Sequence, residues 1–204
     1  MNTTRFSRRQ ALRWFAIPAA AGLPWGSMAT AAATATADLP GSSVYQFKPP
    51  LTNQNGQPFE LASLRGQPVL ASMFYSFCEM VCPMIFDTIQ QTVRALPAVE
   101  RDRVRVLMVS IDPARDSVVV LKRTAEAHAC DARWTLARSD EVNTRKLAAL
   151  LGVQYRRLAS GEFNHSSGIE LLDADGRIAA RTATLGSVDP ALLKTLRQSL
   201  VPSA

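Results

Sequence analysis

Apolar positions along this chain switch between two periods, and the switches mark out the elements. Residues 67–77 carry Val69, Leu70, Met73, Phe74 and Tyr75 in a nearly continuous run after Gly66, the pattern of a central strand buried on both faces. Residues 83–96 place Met84, Ile85, Ile89, Val93 and Leu96 at helical spacing, and Pro97 ends them. Residues 104–111 repeat the buried-strand pattern and run into Asp112-Pro113. Helices are predicted over 117–128 and 141–151, the second with Asp140 as N-cap and Gly152 just past its end. A short strand is predicted over 153–158. A hairpin follows, 168–172 with 177–182, around Asp173-Ala174-Asp175-Gly176. Pro190, at a first helical position after Asp189, opens a last helix that runs to about residue 200.

Ahead of these elements, Asn55-Gly56 marks a hairpin turn within 51–64, and residues 38–50 read as an extended arm or linker. The order is β-α-β-α-(α)-β-β-α after an N-terminal hairpin, which predicts an α/β fold with a mixed central sheet and helices on both faces. Cys78 and Cys82 fall between the first long strand and its helix. With cysteines there, a thioredoxin-like architecture is the natural assignment for residues 51–204.

Composition changes the picture mainly at the N-terminus. A chain of 204 residues, 47% of them apolar, can build one domain with a real core. The formal charge is +6, but Arg5, Arg8, Arg9 and Arg13 precede residue 38 with no acidic residue among them. Setting those four of the 23 basic residues aside leaves 19 against 17 acidic ones, a balance that gives no reason to expect a nucleic-acid partner. Ser7-Arg8-Arg9-Gln10-Ala11-Leu12-Arg13 is a twin-arginine signature, followed by 24 uncharged residues and a small-x-small site at Ala35-Thr36-Ala37. A membrane anchor is the alternative, but the stretch is rich in Ala and Thr and interrupted by Pro18 and Pro24. Residues 1–37 are therefore expected to be a cleaved export signal and the protein to be periplasmic. Three cysteines in an oxidising compartment leave one over, with Cys78 and Cys82 as the pair and Cys130 as the spare.

Four residues apart at a strand–helix junction, Cys78 and Cys82 can share one face, near N–H groups that favour thiolate. A structural disulfide closing so short a loop would stabilise little. Redox exchange and metal binding both remain open on the cysteines alone. His165 lies in the polar segment 161–167, which in such a sheet lies beside the cysteine turn. A Cys–Cys–His set is soft and suits Cu(I), and can also take Cu(II); structural zinc wants a fourth ligand that is not apparent. No proline occurs between Pro113 and Pro190, so the proline that thioredoxin-like oxidoreductases set opposite their cysteines has no counterpart. Asp112 is either an acceptor that orients His165 or a sulfur, or a strand-end carboxylate capping a turn. His128 with Cys130 reads as an ordinary helix end, Met80 and Met84 as helix-face packing, and Trp134 and Tyr155 as core.

These residues together resemble the Sco/SenC family of copper-binding thioredoxin-like proteins. The resemblance rests on Met73-Phe74-Tyr75-Ser76-Phe77 leading into Cys78-x-x-x-Cys82-Pro83, on Val109-Ser110-Ile111-Asp112-Pro113-x-Arg115-Asp116, and on His165 ahead of Leu171-Leu172-Asp173-x-Asp175-Gly176. It covers roughly residues 44–200. It implies that Cys78, Cys82 and His165 are copper ligands and that Asp112 lies near them. It also implies copper delivery to the binuclear copper centre of cytochrome c oxidase subunit II or another copper-accepting protein, with periplasmic copper chaperones and thiol reductases as further partners. Thiol–disulfide exchange on a client's cysteines, or copper or redox sensing, is the alternative activity. Glu79 departs from the family, which often has proline or a small residue there.

Overall fold

The computed structural model describes residues 38–201; the expected export leader lies outside the described residues. The strands are β1 (Leu51–Asn53), β2 (Pro58–Phe59), β3 (Val69–Phe74), β4 (Arg105–Ser110), β5 (Trp134–Arg138), β6 (Tyr155–Arg157), β7 (Phe163–His165), β8 (Ile169–Leu172) and β9 (Ile178–Thr182). The helices are α1 (Val81–Arg94), α2 (Ala98–Arg101), α3 (Val118–Ala127), α4 (Glu141–Leu151) and α5 (Pro190–Ser199).

Seven strands form one sheet in the order β2-β1-β5-β4-β3-β8-β9. β3 and β4 pair in parallel from Val69↔Arg105 to Phe74↔Ser110, and β4 pairs in parallel with β5. β8 joins the other edge of β3 antiparallel, Val69 opposite Leu172. Parallel neighbours need crossovers, and α1 and α3 supply them. Every residue of β3 is buried, and so is β4 beyond Arg105. Both faces of the centre are therefore covered, as their unbroken apolar runs require. The predicted mixed α/β, thioredoxin-like architecture is borne out, including the hairpin around Asn55-Gly56 and the helix boundaries to within about two residues.

Three local expectations fail. Residues 134–138 form an unexpected strand, β5, parallel to β4 and antiparallel to β1; at five residues, with Thr135 and Arg138 only partly buried, it shows too little apolar pattern to read as one. The segment around His165, expected to be a loop, is strand β7. It pairs with β6 in a two-stranded sheet of its own, Tyr155 opposite His165 and Arg157 opposite Phe163. Its turn is closed by Gly161, whose φ is +87°. The strand predicted over 153–158 thus serves the hairpin and not the central sheet.

The expected extended arm is also packed. A 3-10 turn over Val44–Gln46 buries Tyr45 completely. Val44 N–H donates to the Gly176 carbonyl at 2.9 Å, and Ser43 Oγ donates to the Asp175 carbonyl. Gly176 has φ +80°, and a Cβ there would lie 2.6 Å from the Tyr45 ring. Gly176→Ala therefore combines left-handed strain with overpacking, and should cost about 2–4 kcal/mol. Urea unfolding followed by circular dichroism would show this as a lower midpoint with an unchanged slope.

Candidate metal centre

The site forms where β3 stops. Beyond Phe74 the chain turns through Tyr75, whose carbonyl accepts the Cys78 N–H at 3.2 Å, and enters α1 at Val81. Met80 occupies the cap position of α1 and makes no side-chain capping bond. Cys78 Sγ takes that role, accepting the Cys82 N–H at 3.3 Å. A helix start offers unpaired N–H groups and positive potential, and here a sulfur receives them.

The two sulfurs consequently differ. Burial alone would raise the Cys78 thiol, but N–H groups of Cys82, Met80 and Val81 and the Cys82 thiol point at it, and the net shift is downward. Cys82 is buried beneath the turn, and burial first, then the Cys78 and Asp116 charges, push its thiol well up. Cys130 is half-buried elsewhere, and burial pushes it up to about 12. All three are free thiols.

The β6–β7 hairpin delivers His165. Its Nε2 lies 3.9 Å from Cys82 Sγ, and its Nδ1 lies 3.2 Å from the Ser166 carbonyl. A carbonyl only accepts, so Nδ1 carries the proton and Nε2 presents a lone pair to the sulfurs. Burial lowers the imidazole's pKa, partly offset by that carbonyl, which favours the neutral form that binds metal. The ring packs edge-on against Tyr75, centroids 5.9 Å apart, and Tyr75 also meets Phe163 at 5.3 Å. Burial raises the Tyr75 phenol.

One ligand atom from each of Cys78, Cys82 and His165 lies within 4.8 Å of the others. Three donors with metal–ligand bonds of about 2.0–2.3 Å around one ion sit about 3.5–4.0 Å apart; the 3.9 Å between His165 Nε2 and Cys82 Sγ already meets this, and no pair is more than about 0.8 Å too wide. Two sulfurs and an imidazole at that spacing fit a metal site, and the donor types suit a soft ion. This is the single His, Cys and acidic cluster of that kind among the described residues.

Among the described residues, the carboxylate of Asp112 bonds to Arg115 and Arg157 and its N–H to Ser110, and neither to His165 or a sulfur. Its fully buried carboxylate pairs with Arg115 Nε and, at 2.7 Å, with Arg157 Nη2 on β6. The carboxylate whose charge acts on Cys82 is Asp116, a residue that sequence reasoning did not single out as a site residue. It is buried, accepts from Ser110 Oγ at 2.5 Å and from the Ser76 hydroxyl and N–H, and burial raises its pKa despite those bonds. The hydroxyls of Ser76 and Ser110, each at the end of an apolar run, were the available signal. His128 stacks on Phe86 at 4.0 Å, which in turn stacks on the buried Trp134, and burial lowers its pKa. Met80 is 73% exposed and Met84 40%, so neither is the packing residue expected. Trp134 is buried in the core as expected, and Tyr155, half-buried on the hairpin, packs against that core.

The SCO1/SenC family model matches residues 40–199 of this chain. A Stutzerimonas stutzeri protein described as copper-binding is 24% identical over 63% of this chain, which spans only 64% of that relative's length. The SCO1 homologue of Bacillus subtilis is 26% identical over 66% of this chain and 72% of its own. The solved structure of Bradyrhizobium japonicum ScoI with copper bound is 25% identical and has a TM-score of 0.65, covering 75% of this chain and 98% of that one.

The thiol asymmetry is directly measurable. In the reduced, metal-free protein, iodoacetamide should modify Cys78 first, at a rate that rises through a pH below the ordinary thiol range. Cys82 and Cys130 should react at least about tenfold more slowly at pH 7. Peptide mass spectrometry over a pH series reads all three, and equal rates at Cys78 and Cys82 would contradict the geometry.

Proposed function

This chain belongs to the SCO1/SenC family, and from that premise we propose that it carries copper on Cys78, Cys82 and His165 and passes it to an acceptor protein. The observation that carries this reading is the convergence of the two sulfurs with an unprotonated Nε2. Cu(I) favours soft donors at low coordination number, and such a set provides two sulfurs and one nitrogen. Copper is the cargo. The partly exposed Cys78 and the exposed Met80 and Phe77 leave one side of the set open to an incoming ligand. Release proceeds by ligand exchange from that side, with the buried Cys82 held beneath.

The acceptor we favour is the binuclear copper centre of cytochrome c oxidase subunit II, the client that the family resemblance implies. The twin-arginine pattern of residues 7–13 supports work outside the cytoplasm, in the periplasm. Thiol–disulfide exchange is a second reading, favoured by the opposed shifts of the two cysteines. The low-pKa Cys78 would attack a client disulfide, and the buried Cys82 would resolve the mixed disulfide.

The full chain, reduced, should bind one Cu(I). His165→Ala should weaken binding by about 100-fold or more, since even residues that only orient a ligand are worth 10–100-fold. Competition with a chromophoric Cu(I) chelator measures both. Unchanged affinity and spectrum in His165→Ala would reject the three-ligand reading. A mixed disulfide captured with Cys82→Ser would favour the reductase role.

A further inference from the structure

The β6–β7 hairpin brings His165 to the cysteines without belonging to the central sheet. Behind it lies a cavity of about 530 Å³, bounded by Asp112, Arg138, Arg145, Tyr155, Arg157 and Phe163. The Tyr155 hydroxyl and Arg138 Nε are buried there without a hydrogen-bond partner, so this side of the hairpin is not closely packed. In front, the hairpin touches the cysteine turn through the rings of Tyr75, Phe163 and His165.

Two charged bonds span the gap between hairpin and sheet. Arg157 of β6 reaches Asp112 at 2.7 Å, while Arg115, from the segment after β4, donates to the Gly161 carbonyl at the hairpin turn at 2.6 Å. Both guanidinium groups also converge on the same buried carboxylate, Asp112. Asp112 is anchored just past the end of β4, where its backbone N–H donates to Ser110 Oγ at 3.0 Å. Each arginine is steadied by a ring, Arg115 over Phe77 and Arg157 over Phe163, both at 5.0 Å.

We propose that Arg115 and Arg157, joined through Asp112, form a two-point latch that positions His165 against the cysteines. Neither arginine is among the donors of the metal cluster; both are positioning residues, and they hold the turn end of the hairpin, Arg115 at Gly161 and Arg157 at the last residue pair before the turn. With the latch closed, Nε2 completes a three-donor set. With it open, the two sulfurs remain at the start of α1, and the imidazole leaves with the hairpin. The hairpin's attachment thereby sets how long a metal is held. The consequence for copper rests on the function proposed above; the attachment itself does not.

Amide hydrogen exchange on the full-length, reduced, metal-free protein tests the attachment without any metal. Arg157→Gln keeps Arg115 on Asp112, so the buried carboxylate retains a cation and the fold should survive. Exchange over residues 155–165 should quicken about tenfold or more, with β3 and β4 unchanged. Arg157→Lys should restore part of the protection. Should Arg157→Gln fail to fold, Arg115→Gln removes the other point and is read the same way. Unchanged hairpin exchange in both variants overturns the latch. With Cu(I) bound, Arg157→Gln should speed copper loss to a chelator by a similar factor in the wild-type background, and have little effect when His165 is already Ala. Equal effects in both backgrounds would show that Arg157 does not act through His165. A wild-type protein that takes up no copper rejects the proposed function instead, and the exchange result still decides the latch.

Discussion

The burial of β3 on both faces is the constraint from which the site follows. A strand sandwiched between layers and between β4 and β8 can carry no charge along its length, and each of its six residues is buried. Reactive groups can appear only where the strand runs out. There the chain must reverse into α1 to cross over to β4, because parallel neighbours cannot be joined by a tight turn. The reversal sets a sulfur against unpaired helix N–H groups, and that sulfur is Cys78. One helical turn further on, the same reversal drives Cys82 into the core. The pair is thus unequal because of where it sits in the fold.

That inequality suits one scaffold to either of the two proposed roles, metal carriage or thiol exchange. A thiol with a lowered pKa ionises readily and is accessible; its neighbour, with a raised pKa, gives up its proton only when something replaces it. A soft cation is one such replacement, and it is held once both sulfurs are ionised. A disulfide bond is another. The imidazole tips the balance, because thiol exchange has no use for a third donor fixed as a neutral tautomer beside Cys82.

Much of this was legible in the chain itself. The two long apolar runs, the helical spacing after Pro83 and the caps at Asp140, Gly152 and Asp189 all correspond to observed elements, since each is fixed by local chemistry. What escaped was whatever depended on distant partners. β5 is a strand because β4 and β1 flank it, not because Trp134-Thr135-Leu136 insists on one. Tyr45 is buried because Gly176, more than a hundred residues later, leaves room for its ring. The expected placement of His165 beside the cysteines matches the structure, yet its strand was not legible, because Phe163-Asn164-His165 is extended only through pairing with Tyr155-Arg156-Arg157. The partners of Asp112 were hidden for the same reason: Arg115 is near in sequence, while Arg157 comes from a hairpin whose existence the polar sequence concealed.

The protein therefore places its donors by two different kinds of force. The sulfurs are set by the core, whose packing is worth many kcal/mol and gives way only with the whole fold. The imidazole is set by a hairpin that the core does not include, held by rings on one side and by arginines on one buried carboxylate on the other. A buried carboxylate deprived of both cations would be uncompensated, at a cost of about 3–5 kcal/mol, but losing one leaves the other in place. Such an attachment can loosen in part without unfolding anything. On the carrier function proposed above, that division is what release requires: the first two donors stay in register while the third lets go. Had His165 been placed on β3 or β8, the three donors would have been equally rigid, and release would have required the sheet itself to give.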